Sequence, residues 1–310
     1  MATGVTAPEL SVTQPASAEA TGAPRRFLRA VLHNRKAAVG AVILLVMAFV
    51  AVFPGLVAPD DPHATAYAQS AGPSSAHLLG TTQLGQDVFS QLVWGTRLTL
   101  IVTLIVSAIA TFLSMIVGVS SAYLGGVTDR VLTLVIDVFL ILPVLPLLIL
   151  LAAYLPPGVT SLVIVLCITS WAFQARQLRS QGLSVRNRDF LLAARARGER
   201  AIYIILVEIV PTMTSLLAAS FLSLAVYVVG FAAALQFLGL GNSGELMWGT
   251  MLYNSQQASA LEAGNAWWAL APGAAVAILG AGFALLNYAF DEIGNPALRP
   301  VRKRRVRSAA

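Results

Sequence analysis

The stretch from Asp189 to Thr212 reads DFLLAARARGERAIYIILVEIVPT and is the longest charge-rich stretch between two strongly apolar runs. Asp189 favours a helix start, because a carboxylate is stabilised at the positive end of the helix dipole. Gly198 favours a helix end, because glycine readily adopts the left-handed conformation. We therefore expect one helix from Asp189 to Arg197 and a second from Glu199 toward Pro211. Two short helices joined at a glycine would form a compact knob.

The adjacent small residues Ala193 and Ala194 are expected to line one face of this knob. Small side chains let the backbone of another protein approach closely, which predicts a docking element and not a catalytic one. The alternative is a solvated loop that contains a helix, since charge-rich stretches between membrane spans are commonly of that kind.

The composition excludes several classes of protein. The chain of 310 residues is 57% hydrophobic and only 11% charged, whereas soluble domains carry about 25% charged residues, so it is an integral membrane protein. The single Cys167 rules out an internal disulfide and favours a small core residue. His33, His63 and His77 are scattered, which leaves a metal site without ligands, and no Walker A loop is present.

Six apolar runs are candidates for membrane spans, which need about 20 residues each. They predict an all-α, polytopic membrane protein with six transmembrane helices. The predicted spans are Ala37 to Pro59, Leu98 to Thr128, Val131 to Tyr154, Val159 to Gln174, a span within Ile209 to Gly244 that ends before the turn at Leu238 to Asn242, and Trp267 to Phe290.

Positive charge indicates the orientation. With six spans and an inside amino terminus, the inside segments hold nineteen of the twenty Lys and Arg residues, and Arg97 is the exception. This asymmetry predicts a multi-pass protein of the inner (plasma) membrane with both termini in the cytoplasm. It also accounts for the net charge of +6 without nucleic acid, since the basic carboxyl-terminal tail can meet anionic inner-leaflet lipid.

The knob resembles the EAA loop of ABC importer permeases, which lies between two spans. Ala193, Ala194, Gly198 and Pro211 match its pattern, and Leu192 stands where the family has glutamate. In that family the loop forms a coupling helix that seats in a groove of the cytoplasmic ATPase. The resemblance implies an ATPase-coupling loop over residues 186–204. Its expected contact and framing residues are Asp189, Leu192, Ala193, Ala194, Gly198 and Pro211.

The segment before the second span carries a second resemblance. Residues 79–87 read LGTTQLGQD and residues 94–98 read WGTRL. They resemble permeases of the dipeptide, oligopeptide and nickel importers, and further ordered matches extend the likeness to Arg299. The chain is most similar to the second, C-type subunit, which implies a type I ABC importer permease fold. The resemblance places an outward-facing set that could border a binding protein or brace the outer mouth: Gly80, Thr81, Gly85, Asp87 and Arg97.

The resemblance also implies function and partners. It implies a permease that forms half of a pathway for di- or oligopeptides, with nickel, opine or oligosaccharide uptake as alternatives. The implied partners are a second homologous permease, two cytoplasmic ABC ATPases, an extracytoplasmic substrate-binding protein and membrane lipid, with no nucleic acid. ATP and Mg²⁺ would bind the ATPases, so this chain would carry no cofactor and would not be an enzyme.

The chain divides into four predicted regions. They are a disordered tail over residues 1–24, the first span with its outside loop over 25–78, the permease core over 79–298, and a basic tail over 299–310.

Two polar residues within the spans carry open alternatives. Asp137 lies about 10 Å along a helix from Arg130, where an acid is costly unless it meets a partner, water or a pore. It is either a pathway or gating carboxylate or one member of a structural pair. Gln236 is the strongly polar side chain of the fifth span and is expected to face the pathway.

Two rival functions remain for comparison. An ion-coupled secondary transporter would use Asp137 as its ion site and would show an internal repeat with paired broken helices, neither of which the sequence indicates. A membrane-embedded enzyme would need clustered histidine, cysteine or carboxylate residues within the spans, where Asp137 stands alone.

Overall fold

The computed structural model describes residues 34–294, and the predicted tails at 1–24 and 299–310 lie outside them. In this part of the chain the fold is helical, with one isolated antiparallel bridge between Thr81 and Asp87. The helices in chain order are α1 (Arg35–Val52), α2 (Pro54–Val57), α3 (Val88–Leu124), α4 (Gly126–Ile141), α5 (Val144–Tyr154), α6 (Val159–Ser170), α7 (Ala172–Val185), α8 (Asp189–Ala196), α9 (Ala201–Thr212), α10 (Thr214–Phe237), α11 (Trp248–Gln257) and α12 (Ala266–Gly294).

The predicted number of spans is confirmed when one bent helix pair is counted as a single span. Helices α1, α3, α10 and α12 are each long and apolar enough to cross a membrane, as is the stretch formed by α6 and α7. Helices α4 and α5 together supply the sixth. The all-α class is therefore also confirmed for residues 34–294.

The third span is broken, which corrects the sequence prediction of a continuous helix. Helices α4 and α5 meet at an angle of 91°. Leu142 is extended, with φ −66° and ψ 133°, and Pro143 follows it. Proline has no backbone N–H to continue a helix and disfavours helical geometry in the residue before it.

The second and fourth spans extend beyond their predicted limits. Helix α3 begins at Val88 because Asp87 caps it, the carboxylate accepting a hydrogen bond from Ser90 N at 2.7 Å. Helix α7 continues to Val185, past the predicted end at Gln174. The prediction treated each span as an uncharged run and therefore made both spans too short. A membrane helix can carry charged side chains where these reach water or a partner of opposite charge.

The close packing of α3 against α7 positions the half of the fold that carries residues 189–212. Gly118 of α3 lies so near α7 that a Cβ atom there would overlap the carbonyl oxygen of Ala175. Gly182 of α7 packs against Ala122, with 2.7 Å between the position of its missing Cβ and the Ala122 Cβ. Small residues of this kind let membrane helices approach each other closely.

We expect the Gly118→Val substitution to lower the thermal unfolding midpoint of the purified chain in detergent. The added side chain forces α3 and α7 apart, and overpacking of this kind costs about 1–3 kcal/mol. Gly230→Ala in α10 is the control, because nothing lies within 4 Å of its Cβ position. Equal midpoints for the two variants would contradict the close α3–α7 contact.

Candidate functional site

The first helix of the knob forms where the sequence predicts it. Helix α8 runs from Asp189 to Ala196, and Gly198 adopts the left-handed conformation with φ +77°. The turn is closed by Gly198 N, which donates to Arg195 O at 2.9 Å, and by Glu199 N, which donates to Ala194 O at 3.3 Å. The predicted glycine terminator is therefore confirmed.

The second helix of the knob, α9, is wound more widely than an α-helix over Ile204–Ile209, where it is π-helical. Ile204 and Ile209 are both fully buried, although residues five apart point to different sides of an α-helix. The wider winding brings both isoleucines to one side, where they pack in the same apolar cluster. Pro211 follows directly, and such π segments are frequent at functional sites.

The knob is anchored in the chain's own apolar core. Leu191 and Ala194 of α8 are fully buried together with Ile204 and Ile209. They pack with Val119 of α3, Leu178 of α7 and Met213. Ala194 therefore faces inward while Ala193 is exposed. The expectation that both alanines line one docking face was wrong, because adjacent residues on a helix point in different directions.

The side of the knob that faces away from the chain's own core presents apolar side chains. We call this set the knob surface, and the exposed side chains that form it with Ala193 are Phe190, Leu192, Ile202, Tyr203, Leu206 and Val207. Leu192 is 49% exposed. Exposed apolar patches mark surfaces that contact another protein or the membrane.

Charged and polar contacts fix the knob region to the ends of the spans. Arg179 of α7 donates two hydrogen bonds to the carboxylate of Asp129 of α4, from Nε at 2.7 Å and from Nη2 at 2.8 Å. Ser121 of α3 donates to the same carboxylate. The Arg195 guanidinium of α8 lies over the ring of Tyr123 at 4.9 Å. The knob, α3, α4 and α7 are therefore connected.

Four of the predicted outer residues build the loop before α3. Asp87 is 3% exposed and accepts a hydrogen bond from Ser90 N, while its other oxygen lies 3.0 Å from His77 Nδ1. Thr81 is also buried and accepts from Ala71 N at 2.9 Å. Gly80 and Gly85 both have positive φ, 74° and 73°.

Arg97, the fifth predicted outer residue, lies apart from these contacts. Its side chain is exposed and borders a shallow hollow of about 230 Å³ with Trp94 and His63. The first four residues thus shape the loop before α3, whereas Arg97 is available to solvent or to another molecule.

The two intramembrane polar residues have different environments. Asp137 forms an ion pair with Arg176 of α7, and both side chains are about half exposed. Gln236 is 3% exposed, and its Nε2 lies 2.7 Å from the sulfur of Met247. The prediction that Gln236 faces the pathway is corrected, because the start of α11, with Gly249 against it, covers this side chain.

Sequence reasoning missed Arg176 and Arg179 as partners of the two acids in α4. The prediction ended the fourth span at Gln174, so neither arginine was placed on a membrane helix. A signal was available in the charges, because unpaired acids and arginines near a membrane core are costly. Pairing the two sets required the knowledge that α4 packs against α7.

Residues 110–299 match the family described as the inner membrane component of binding-protein-dependent transport systems. The chain belongs to this family. Residues 25–76 also match the N-terminal transmembrane domain of oligopeptide transport permease C. The predicted family is therefore confirmed, and the protein is a non-catalytic, multi-pass component of the inner membrane.

Curated members of the transport-component family cover most of the chain. The dipeptide transport system permease protein DppC of Bacillus subtilis is 31% identical over 81% of this chain and 75% of its own length. The nickel transport system permease protein NikC of Escherichia coli is 30% identical over 70% of this chain and 79% of its own length.

A solved structure supports the fold. A chain from inward-facing conformations of the MetNI methionine ABC transporter superposes with a TM-score of 0.54 and 19% identity. The match covers 67% of this chain and 97% of that chain. The transport component therefore has the predicted type I ABC importer permease fold.

We expect Asp129→Asn and Arg179→Gln each to lower the thermal midpoint of the purified transport component. Each substitution leaves a partly buried charge without its partner. In a double-mutant cycle the two changes should be less than additive, with a coupling energy on the order of 1 kcal/mol. Strict additivity would show that the pair does not connect α4 to α7.

Proposed function

We propose that this chain is the C-type permease subunit of an ATP-driven importer and forms half of the translocation pathway for di- or oligopeptides. The observation that carries the proposal is the knob. It exposes an apolar surface on one side and is locked into α3 and α7 on the other. An element of this shape can receive force from a separate protein and pass it to the membrane helices.

The proposed docking contact involves the outward residues of α8. Leu192 and Ala193 would meet the groove of a cytoplasmic ABC ATPase, and Leu192 replaces the family's glutamate contact by apolar packing. Ala194 would not touch the ATPase and would support the docking contact indirectly, because it is buried in the chain's own core. ATP and Mg²⁺ would be held by the two ATPase subunits.

The proposed coupling step follows from these contacts. When the ATPases close on ATP, they would displace the knob. The buried contacts of Leu191 and Ile204 with Val119 and Leu178 would carry that displacement to α3 and α7. The Asp129–Arg179 pair would bring α4 along, so the bent third span would move with the knob.

The remaining parts of the proposed assembly follow from orientation. The excess of Lys and Arg in the knob stretch and in both tails supports cytoplasmic termini. The outer segment braced by Thr81 and Asp87 would then face the extracytoplasmic binding protein. A second, homologous permease would complete the pathway, and the basic carboxyl-terminal tail would meet anionic lipid.

Nickel uptake is the second candidate, because a nickel permease is among the relatives. The match of residues 25–76 to an oligopeptide permease domain favours the hypothesis of peptide uptake. In addition, no group of three or more His, Cys, Asp or Glu side chains within residues 34–294 is arranged to hold a metal ion.

The function is tested with the complete transporter in proteoliposomes, including the partner permease, both ATPases and the binding protein. We expect ATP-dependent accumulation of radiolabelled dipeptide and none of ⁶³Ni²⁺. Accumulation of nickel and not of peptide would show that nickel, and not a peptide, is the substrate. Absence of any ATP-dependent transport would overturn the importer assignment.

Gly198 offers a test of coupling. We expect Gly198→Val to reduce peptide uptake while ATP hydrolysis continues, because a β-branched residue is strained at φ +77° and would distort the α8–α9 turn. Gly198→Asn is the matched control, because asparagine tolerates the left-handed conformation.

The ratio of peptide transported to ATP hydrolysed is the measurement. Since nothing lies within 4 Å of the Gly198 Cβ position, the effect of valine would come from the backbone and not from a clash. Unchanged ratios in both variants would contradict the coupling role of the turn.

A further inference from the structure

Arg97 is an exposed arginine near the start of α3. The ion pairs within residues 34–294 do not include it, whereas Asp87, Asp129 and Asp137 each have a basic partner. An arginine keeps its positive charge at every physiological pH and carries five N–H donors. The guanidinium of Arg97 is therefore free to bind an anionic group from outside the chain.

The hollow of about 230 Å³ beside Arg97 is built from three separate parts of the chain. Its lining residues come from the loop before α3, from α3 itself and from the turn before α11, and they are His63, Trp94, Arg97, Leu98, Ile101 and Leu246. The Trp94 ring is held in place, because its Nε1 donates to Ala58 O at 3.3 Å. None of these six residues is acidic, so the walls would not repel an anion.

The position of Arg97 along α3 matches the headgroup level of a bilayer, on the side opposite to the knob. At 1.5 Å per residue, Arg97 lies about 33 Å along α3 from Val119, which packs in the apolar cluster of the knob. The hydrocarbon core of a bilayer is about 30 Å thick. Tryptophan side chains such as that of Trp94 are enriched at this level. The anionic groups that Arg97 meets there are those of lipid headgroups.

An exposed apolar strip runs along α3 from the hollow toward the knob. Its side chains recur every three to four residues after Arg97, which places them on the same side of the helix. They are Ile101, Leu104, Ile105, Ile109, Phe112 and Ile116, each 38% to 60% exposed. The strip is about 22 Å long, whereas the hydrocarbon depth of one leaflet is about 15 Å. An acyl chain can therefore contact α3 over its whole length.

The hollow and the strip together fit an anionic phospholipid. Guanidinium groups bind phosphate oxygens through two parallel hydrogen bonds, and the imidazole N–H of His63 is a further donor in the lining. A soluble anion would gain these contacts but would leave the apolar strip uncovered. A zwitterionic headgroup would bring its own cation close to the guanidinium, so an anionic headgroup is favoured.

We propose that the hollow binds the headgroup of an anionic phospholipid in the leaflet opposite to the knob. The Arg97 guanidinium donates to the phosphodiester oxygens, and one acyl chain lies on the α3 strip. This site differs from the contact proposed for the basic carboxyl-terminal tail, which concerns the leaflet on the side of the knob. The bound lipid holds the start of α3 at the headgroup level, whatever substrate the transporter carries.

Fluorescence quenching by brominated lipid tests the site in the full-length chain. Cys167→Ala removes the single cysteine, and Ile105→Cys then carries a fluorescent label on the strip, about 12 Å along α3 from Arg97. The vesicles contain one part phosphatidylglycerol to four parts phosphatidylcholine, and one of the two lipids is brominated on its acyl chains. We expect phosphatidylglycerol to quench about fivefold more per molecule, the enrichment that one basic group gives at a membrane surface. Arg97→Gln should lower this ratio to about one.

Two controls separate the site from a general attraction of anionic lipid. Arg130→Gln removes the same charge from an exposed arginine at the start of α4 and should leave the ratio unchanged. A label at Leu45→Cys on α1, where Leu45 is 70% exposed, should be quenched equally by both lipids. A ratio that Arg97→Gln does not lower, or an equal preference for phosphatidylglycerol at both label positions, would overturn the lipid site.

Two further measurements distinguish the lipid from other occupants of the hollow. Excess inorganic phosphate should leave the quenching ratio as it is in sodium chloride of equal ionic strength, and its loss in phosphate would show a site for a soluble anion instead. In the complete transporter, native mass spectrometry should detect one phosphatidylglycerol more on the wild type than on Arg97→Gln. If the isolated chain selects this lipid but the complete transporter does not retain it, a partner protein covers the hollow and the proposal is overturned.

Discussion

The fixed contact between α3 and α7 is the constraint on which the half of the protein that carries the knob depends. Gly118 and Gly182 bring the two backbones together, and the Asp129–Arg179 pair adds α4 to the same unit. The knob then packs onto this platform through Leu191 and its buried neighbours. Without the platform, α8 would be a short amphipathic helix on a loop with no fixed contact to the spans. With it, the proposed displacement of the knob would also displace α3, α7 and α4.

Several acidic side chains of the bundle are paired with a basic side chain or with the start of a helix. In a protein with so few charged residues, the acids of α4 are each met by an arginine of α7, and Asp87 is met by His77 and by the start of α3. Asp87 lies at the start of α3, whereas Asp129 and Asp137 face α7.

The sequence predicted the features that depend on local chemistry. The left-handed glycine at 198, the start of α8 at Asp189 and the end of the fifth span before Leu238 all depend on one or two residues, and all are confirmed. Features that depend on packing between distant residues were not predictable. The inward side of Ala194 depends on Val119 and Leu178, and the burial of Gln236 depends on α11 folding back over α10. The extension of α7 depends on acids some 40 to 50 residues earlier.

The π-helical winding between Ile204 and Ile209 bears on how the length of the chain can change during evolution. A π turn takes up one residue more than an α turn. A relative that lacks one residue in this interval would wind it as an ordinary α-helix and still bury both of its ends. Insertions and deletions of a single residue can therefore accumulate at this point without displacing the membrane spans on either side.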